Sequence, residues 1–346
     1  RESWPRLPDF VAASFPGALL IGCSAGGVIG GGHEVEGAPG LSITAALLPG
    51  VRLDPIRLEA EPTESSAPAP DALARALGVD PARQPRFLLL SDPFSFDAEP
   101  MLRSLDEAFP AAPKVGGLAS GGHRPGANAL LLGGAVHRSG LVGVALSGDV
   151  ELDTIVAQGC RPIGEPMFVT RSHRNVLFEI DGRRPLDVLR DLYQDLDARD
   201  RALFEHSLFV GLVMDEHRER YRRGDFLVRN LIGVDESTGS LAVAALVHDG
   251  AIVQFHLRDA DTSAEDLEQM LSRYEHGAQA RGSVLFSCLG RGRQLYGRPD
   301  HDTDVFRRHL GELPLGGFFC NGEIGPVQGR TFLHGYTSSF GLFRPR

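Results

Sequence analysis

The chain has 346 residues, of which 42% are hydrophobic and 23% are charged, and its formal net charge is -10. It is long enough to bury one or two cores, and its length favours two domains. The acidic balance argues against non-specific binding to nucleic acid or to an anionic membrane, because both depend on a surplus of basic residues.

The first half alternates predicted strands and helices. Residues 18–23 are predicted to form a buried strand that enters the glycine-rich loop SAGGVIGGG, and residues 41–48 and 51–58 a hairpin around Pro49-Gly50. The composition of residues 61–70 predicts a surface loop. Helices are predicted over 72–77 and 98–109 and strands over 87–90 and 114–118, the last of which opens into a second glycine-rich loop, ASGGHRPG.

The second half shows the same order of predicted elements. Strands are expected over 207–213 and 226–234, and a hairpin over 240–246 and 251–257. A helix capped by Thr262 or Ser263 should run to about residue 279. A strand over 283–288, a helix over 303–310 and a strand over 315–320 then lead into a third glycine-rich stretch that contains Asn321-Gly322-Glu323.

The repeated order predicts an internal duplication, in which PKVGGLASGGHRPG and LPLGGFFCNGEIGP occupy equivalent places. We therefore expect an α/β fold of α+β character, with two duplicated-looking domains over residues 1–165 and 166–346. Helices should cover mixed β-sheets, and the glycine-rich loops should line a cleft. A chance repetition in an α/β chain of this size stays open as an alternative, and it predicts the same fold class.

Four motifs resemble a known family. GCSAGG at 22–27, FLVRNLIGVD at 226–235, FSCLGRG at 286–292 and GFFCNGEIGPVQGRTFLHGYTSSF at 317–340 resemble the FIST family, whose members join an N-terminal and a C-terminal FIST domain. The resemblance implies a sensory role in signal transduction, with binding of small ligands such as amino acids. It brings no established catalytic residues, and it implies an unidentified downstream signalling protein as a partner.

The cysteines and the N-terminus favour a soluble, cytoplasmic protein. Cys23, Cys160, Cys288 and Cys320 form no C-x-x-C pair and do not indicate a disulfide framework. No apolar run is long enough to cross a membrane, and residues 1–10 lack the apolar core of a signal peptide. Organellar targeting by an upstream segment that has been removed stays an open alternative.

Two motifs resemble enzyme or metal sites but depart from them. Residues 22–26 satisfy G-x-S-x-G, yet the residues that follow Ser24 are glycines and β-branched residues rather than helix formers, which favours a tight turn that offers N–H groups to an anion. Asp300, Asp302 and Asp304 alternate as in a calcium loop but lack its glycine, which favours a capped helix start. We predict no metal and no cofactor.

Arginine is the expected cation of any binding site, since Lys114 is the only lysine. Arg229 lies inside a predicted strand and needs an acidic partner. It either forms a salt bridge to Glu323 without a ligand, or lines a pocket with Asn321 and Glu323 in which it binds a ligand carboxylate and Glu323 a ligand amine. Arg291 is either an exposed basic turn or a residue that binds a ligand carboxylate or phosphate.

These observations favour a non-catalytic sensor that binds a small polar ligand, for example an amino acid. The alternatives are a hydrolase or transferase that uses Ser24, Cys288 or Glu323, and an interaction scaffold with no ligand. The candidate ligand-binding residues are Cys23, Ser24, Gly26, Ser120, Arg229, Asn230, Cys288, Arg291, Asn321 and Glu323.

Overall fold

A computed structural model describes residues 6–59 and 70–346, so that the loop predicted over 61–70 lies almost wholly outside the described residues. Within them, no helix is both long enough and apolar enough to cross a membrane. The helices are α1 Leu7–Ser14, α2 Pro70–Leu77, α3 Ala98–Ala108, α4 Pro185–Asp195, α5 Ala198–His206, α6 Ala260–Ser272, α7 Gly292–Tyr296 and α8 His301–Leu310. The strands are β1 Ile21–Cys23, β2 Gly27–Gly30, β3 His33–Glu36, β4 Val51–Leu58, β5 Arg86–Ser91, β6 Lys114–Leu118, β7 Leu130–Leu132, β8 Ala135–His137, β9 Leu141–Gly148, β10 Glu151–Gln158, β11 Cys160–His173, β12 Val176–Ile180, β13 Leu208–Val213, β14 Phe226–Asp235, β15 Ser240–Val243, β16 Ile252–Arg258, β17 Gly282–Cys288, β18 Leu315–Cys320, β19 Glu323–Val327, β20 Arg330–His334 and β21 Thr337–Arg344.

The chain divides into two compact units. The first unit comprises Arg1–Val156 and Glu268–Arg346, and the second comprises Ala157–Leu267. The second unit is therefore inserted in the chain of the first. The domain boundaries predicted from the sequence, 1–165 and 166–346, divide the chain differently and stay a prediction.

The first unit contains two mixed six-stranded sheets, which confirms the expected fold class. Their strand orders are β20-β19-β6-β5-β9-β4 and β10-β21-β17-β18-β2-β3. In each sheet, one parallel pair, β5 with β6 or β17 with β18, lies among antiparallel neighbours. A small sheet of β1, β7 and β8 completes the unit.

Helices cover the outer faces of the two sheets, and an apolar layer lies between the sheets. Leu102 and Leu105 of α3 pack on Phe87 and Leu89 of β5. Between the sheets, Val115 and Val142 join a cluster with Phe286, Phe318 and Cys320. On the far side, Phe306 of α8 stacks on Phe340 of β21 with ring centroids 5.7 Å apart. The resulting order of layers is helix, sheet, sheet, helix.

Two strands occupy equivalent positions in the two sheets, as the sequence predicted. The strand that begins at Lys114 and the strand that begins at Leu315 are each third from one edge of their sheet. A Cβ atom at Gly116 would lie 1.8 Å from the carbonyl oxygen of Leu89, and a Cβ atom at Gly317 would lie 1.9 Å from that of Leu285. The same close approach therefore occurs at the same position of both parallel pairs.

Each sheet is completed by a hairpin from the other end of the chain, which the sequence did not indicate. The hairpin β2–β3 near the N-terminus pairs with β18, and the hairpin β19–β20 near the C-terminus pairs with β6. The two halves of the first unit are consequently interleaved.

The second unit is a closed barrel of strand order β11-β12-β15-β14-β13-β16. Its core contains Val210, Val253, Phe255 and Leu257, and residues of α4 pack against the same cluster. The predicted strands over 207–213 and 226–234 are present here as β13 and β14.

Three predicted elements are wrong. Residues 41–48 form no strand, and β4 pairs with β9 instead of with them. The strands β15 and β16 do not form a hairpin, because β15 pairs with β12 and β14 while β16 pairs with β11 and β13. Helix α6 begins at Ala260 and ends at Ser272, since Asp259 accepts the N–H of Thr262 (2.7 Å) and so caps the helix earlier than expected.

We expect Gly116→Ala and Gly317→Ala to destabilise the protein by similar amounts, about 2 to 4 kcal/mol each, because each added methyl group meets a strand backbone that cannot move aside easily. Urea unfolding measures the loss. Gly134→Ala and Gly282→Ala are matched controls, since a Cβ at either glycine would meet no atom within 4 Å. A neutral result at Gly116 or at Gly317 would contradict the close packing of that parallel pair.

Candidate functional site

The carboxyl ends of the two parallel strand pairs meet in the first unit. Beyond β6 and β18, the N–H of Leu118 donates to the carbonyl of Gly322 (2.9 Å), and the N–H of Asn321 donates to the carbonyl of Leu118 (3.1 Å). Ligands of open α/β sheets bind outside the carboxyl ends of the strands. This junction is therefore where the fold itself favours a binding site.

Two glycine-rich loops are joined by hydrogen bonds at this junction. The N–H groups of Ser120 and Gly121 both donate to the carbonyl of Ser24 (3.2 Å each). The N–H of Gly26 donates to the Ser120 hydroxyl (2.9 Å), which in turn donates to the carbonyl of Phe319. The Ser120 hydroxyl thus links the first loop to strand β18.

Gly26 is exposed at the junction and leaves little room for a side chain. A Cβ atom there would lie 2.8 Å from Cδ2 of Leu289 and 3.3 Å from the carbonyl oxygen of Ser120. The absence of a side chain keeps the loops this close.

The Ser24 hydroxyl has a structural role. It accepts the N–H of Ala129 (2.9 Å) and donates to Oδ1 of Asn128 (3.2 Å), whose amide donates to Asp92 (2.9 Å). After Ser24 the chain enters strand β2 rather than a helix. The loop therefore has the tight-turn geometry that the sequence favoured over a nucleophile elbow.

A fully buried ion pair lies beyond the end of β17. Arg291 and Asp302 are 0% and 2% exposed, and the guanidinium donates through Nε to Oδ2 (2.9 Å) and through Nη2 to Oδ1 (3.2 Å). Nη2 also donates to the Tyr296 hydroxyl (2.6 Å), and the Ser338 hydroxyl donates to Oδ2 of Asp302 (2.6 Å). Arg291 is therefore not an exposed basic turn.

Asp302 is the buried partner of Arg291, and the sequence analysis did not predict it as a site member. Burial alone would raise the pKa of Asp302, but Arg291 and the hydrogen bonds from His301 and Ser338 outweigh it, so that the pKa lies well below its usual range. The alternation of Asp300, Asp302 and Asp304 was the available signal, and helix capping was inferred from it instead.

One donor group of Arg291 has no acceptor in the described part of the chain. Nη1 is buried and has no hydrogen-bond partner among the described residues. The backbone turn that leads to it is short, since the N–H of Arg291 donates to the carbonyl of Cys288 (2.8 Å), and Cys288, Leu289 and Gly290 are half-buried. A buried guanidinium N–H without an acceptor is uncommon and calls for a partner.

Glu323 is buried, as predicted. The predicted arginine partner is wrong, because no arginine in the described part of the chain forms a hydrogen bond or an ion pair with Glu323. The side chain is 0% exposed, and its Oε2 accepts the N–H (3.1 Å) and hydroxyl (2.8 Å) of Thr337. The thiol of Cys320 lies 3.5 Å from Oε1, whereas Arg291 pairs with Asp302. Burial raises the pKa of Glu323 to about 7, although the bonds from Thr337 oppose the rise.

Two further predicted site residues belong to the second unit. Arg229 and Asn230 lie on barrel strand β14, opposite Val210 and Phe209 of β13, and Arg229 is 8% exposed. The pocket predicted to join Arg229 to Asn321 and Glu323 stays a prediction. The structure brings the other candidates together in the first unit: Cys23, Ser24, Gly26, Ser120, Cys288, Arg291, Asn321 and Glu323.

Two of the cysteines at the site are held in the thiol form. Burial raises the pKa of the Cys23 and Cys320 thiols well above the usual range, which suppresses the nucleophilic thiolate. In the part of the chain that is described, no three His, Cys, Asp or Glu side chains gather closely enough to hold a metal ion.

Fold and site together define a duplicated α/β protein whose glycine-rich loops meet at the carboxyl ends of its parallel strands. A model of the FIST N domain matches residues 2–183, and a model of the FIST C domain matches residues 185–326. The chain belongs to the FIST family, which is associated with sensory signal transduction. The resemblance noted from its motifs is thereby confirmed.

Similar proteins occur in bacteria and plants. The chain is 40% identical over 335 residues to the uncharacterized protein Rv0628c of Mycobacterium tuberculosis, covering 96% of this chain and 85% of that protein. It is 39% identical over 326 residues to the uncharacterized protein Mb0898c of Mycobacterium bovis (94% and 82%). An F-box/LRR-repeat protein of Arabidopsis thaliana is 23% identical over 358 residues (86% and 66%).

The buried ion pair generates a stability test. We expect Asp302→Asn to lower the free energy of unfolding by about 3 to 5 kcal/mol, because it leaves the buried guanidinium of Arg291 without its counter-charge. Asp304→Asn, in the same helix, is the control: its pair with Arg298 is exposed on both sides (49% and 41%) and should contribute less than about 1 kcal/mol. Equal losses in the two variants, measured by urea unfolding, would contradict the assignment.

Glu323 generates a pH test. Its pKa is about 7 in the folded protein and ordinarily 4.5, so the folded state holds this proton more tightly than the unfolded chain. Its contribution to stability is therefore present below pH 4.5 and is lost as the pH rises through 7. Between pH 4 and 8, wild type should lose up to about 3 kcal/mol relative to Glu323→Gln.

The same comparison needs a carboxylate that is not buried. Glu312 is 90% exposed, so Glu312→Gln should follow the wild-type pH dependence throughout. Glu34 also has a raised pKa, but it is present in every variant and cancels in the difference. A pH-independent difference between wild type and Glu323→Gln would show that the pKa of Glu323 is the same in the folded and the unfolded state, which would contradict the burial effect.

Proposed function

We propose that the protein is a non-catalytic sensor that binds a small polar ligand with a carboxylate group, such as an amino acid, between its glycine-rich loops. The observation that carries this proposal is the unpaired Nη1 of Arg291, fully buried beside the junction of those loops. A ligand carboxylate is the acceptor that best suits a guanidinium. Gly26, Ser120 and Asn321 would line the same site, with Glu323 beneath it.

Ligand binding at Nη1 would change the conformation of the protein. Nη1 has almost no exposed surface, so a ligand reaches it only when the half-buried turn of Cys288, Leu289 and Gly290 shifts. A ligand that favours the shifted turn changes the population of two conformations, which is the minimum that a sensor requires. A downstream signalling protein would recognise the shifted conformation.

Arg229 is the second proposed carboxylate contact, in the barrel of the second unit. Its strand-interior position and its low exposure of 8% support a role beyond a surface charge. We also propose a cytoplasmic location, supported by four cysteines that are all free.

We expect at least one compound in a panel of amino acids and small carboxylates to raise the melting temperature. A ligand that binds only the folded state stabilises it by about 2.7 kcal/mol at a hundredfold excess over its Kd. Gly26→Ala should weaken that compound's Kd about tenfold or more, because the methyl group fills the space beside Leu289 and Ser120.

Gly134→Ala is the matched control, since a Cβ at that position would meet nothing within 4 Å. Arg291→Lys and Arg229→Ala, each checked first for stability without ligand, then show which arginine binds the carboxylate. If Gly26→Ala folds and keeps the full ligand-induced shift, the ligand is bound away from the loop junction and the proposed site is wrong.

A further inference from the structure

An extended segment of the first unit presents apolar residues to solvent. We define it as the strap, residues 39–48, which runs without a turn or bend up to the turn at Pro49-Gly50. Among the described residues, no backbone N–H of the strap finds an acceptor and no carbonyl of residues 39–47 finds a donor. Its peptide groups are therefore available for pairing with another strand.

One face of the strap rests on two glycines of the sheet. Gly30 of β2 and Gly316 of β18 are register partners. A Cβ atom at Gly30 would lie 2.3 Å from the Ser42 hydroxyl, and one at Gly316 would lie 2.0 Å from the Thr44 hydroxyl. The Ser42 hydroxyl also donates to the carbonyl of Ile29 (2.7 Å). Alternate residues, 42 and 44, thus face the protein.

Apolar residues on both sides of Ser42 are exposed to solvent. Leu41, Ile43 and Leu47 are 62%, 45% and 94% exposed. Thr44, Ala45 and Ala46 are exposed as well, so that most side chains of the strap that meet solvent are apolar. Scattered exposed leucines are common, but a run of exposed apolar residues along a segment with unpaired peptide groups is typical of an interaction surface.

The charge distribution favours a second copy of this chain as the partner. Residues 37–51 include no charged side chain, although 23% of the chain is charged and its net charge is -10. Two such acidic molecules repel each other unless they meet at a neutral surface. Exposed edges are ordinarily protected from self-pairing by charged residues, and the strap has none.

We propose that the strap pairs antiparallel with the strap of a second copy, about a two-fold axis at Thr44. A two-fold interface requires a self-complementary surface. Rotation about Thr44 places Leu41 opposite Leu47 of the second copy and Ile43 opposite its Ala45, so that apolar residues meet apolar residues at these positions. Ten extended residues suffice for a strand of ordinary length.

The first experiment measures the oligomeric state of the full chain by sedimentation velocity over a range of concentrations. Wild type should approach twice the 37.3 kDa of one chain as the concentration rises. Leu47→Glu should weaken the dimer about a hundredfold, because it places an unpaired carboxylate in an apolar contact. Leu246→Glu is the control, since Leu246 is 80% exposed in the second unit and should leave the dimer unchanged.

The second experiment tests the register. Leu41→Glu and Leu47→Lys should each weaken the dimer, and the double variant should recover at least part of the loss, because the two new charges face each other across the axis. A monomeric wild type at the highest concentration overturns the proposal, as does a dimer that Leu47→Glu leaves intact. If both single variants weaken the dimer and the double variant does not restore it, the proposed register is wrong. If a different protein is captured on the strap, the proposed partner is wrong.

Discussion

The exchange of hairpins between the two halves of the first unit is the constraint on which the rest of its structure depends. Each parallel pair buries both faces, one under a helix and one against the other sheet, and acquires its next strand from the far end of the chain. The exchange draws the carboxyl ends of β6 and β18 together, since β19 follows β18 directly and pairs with β6. The junction of the glycine-rich loops is a geometric consequence of that connection.

The electrostatics of the junction follow from the same burial. Asp302 is ionised because Arg291 lies beside it, whereas Glu323 has no such neighbour in hydrogen-bond contact among the described residues and keeps its proton to about pH 7. The carboxyl groups of Asp302 and Glu323 are therefore about equally buried but differ in charge. The contrast comes from the single arginine rather than from exposure, since both side chains are almost completely buried.

The sequence predicted those features that depend on local pattern. The sequence could predict the strands at Lys114 and Leu315, because Val-Gly-Gly and Leu-Gly-Gly repeat at equivalent places. It could also predict the helices that follow apolar periodicity. The burial of Glu323 followed from the position of this charged residue between apolar runs. The exchanged hairpins and the barrel could not be predicted, because the sequence of a short apolar strand does not indicate which distant strand it pairs with. The segment 41–48 was misjudged for a related reason: its apolar residues suggested a buried strand, but Leu41, Ile43 and Leu47 are exposed.

The pairing of Gly30 with Gly316 also has a consequence for biosynthesis. A ribosome makes the chain from its N-terminus, so β2 and β3 emerge long before the strand that completes their sheet, and the whole barrel is made in the interval. Contacts this distant in sequence slow folding and prolong the exposure of unpaired strands. The first unit therefore completes its sheets only after the barrel strands have been made, and its early hairpin stays without its sheet partner in the meantime.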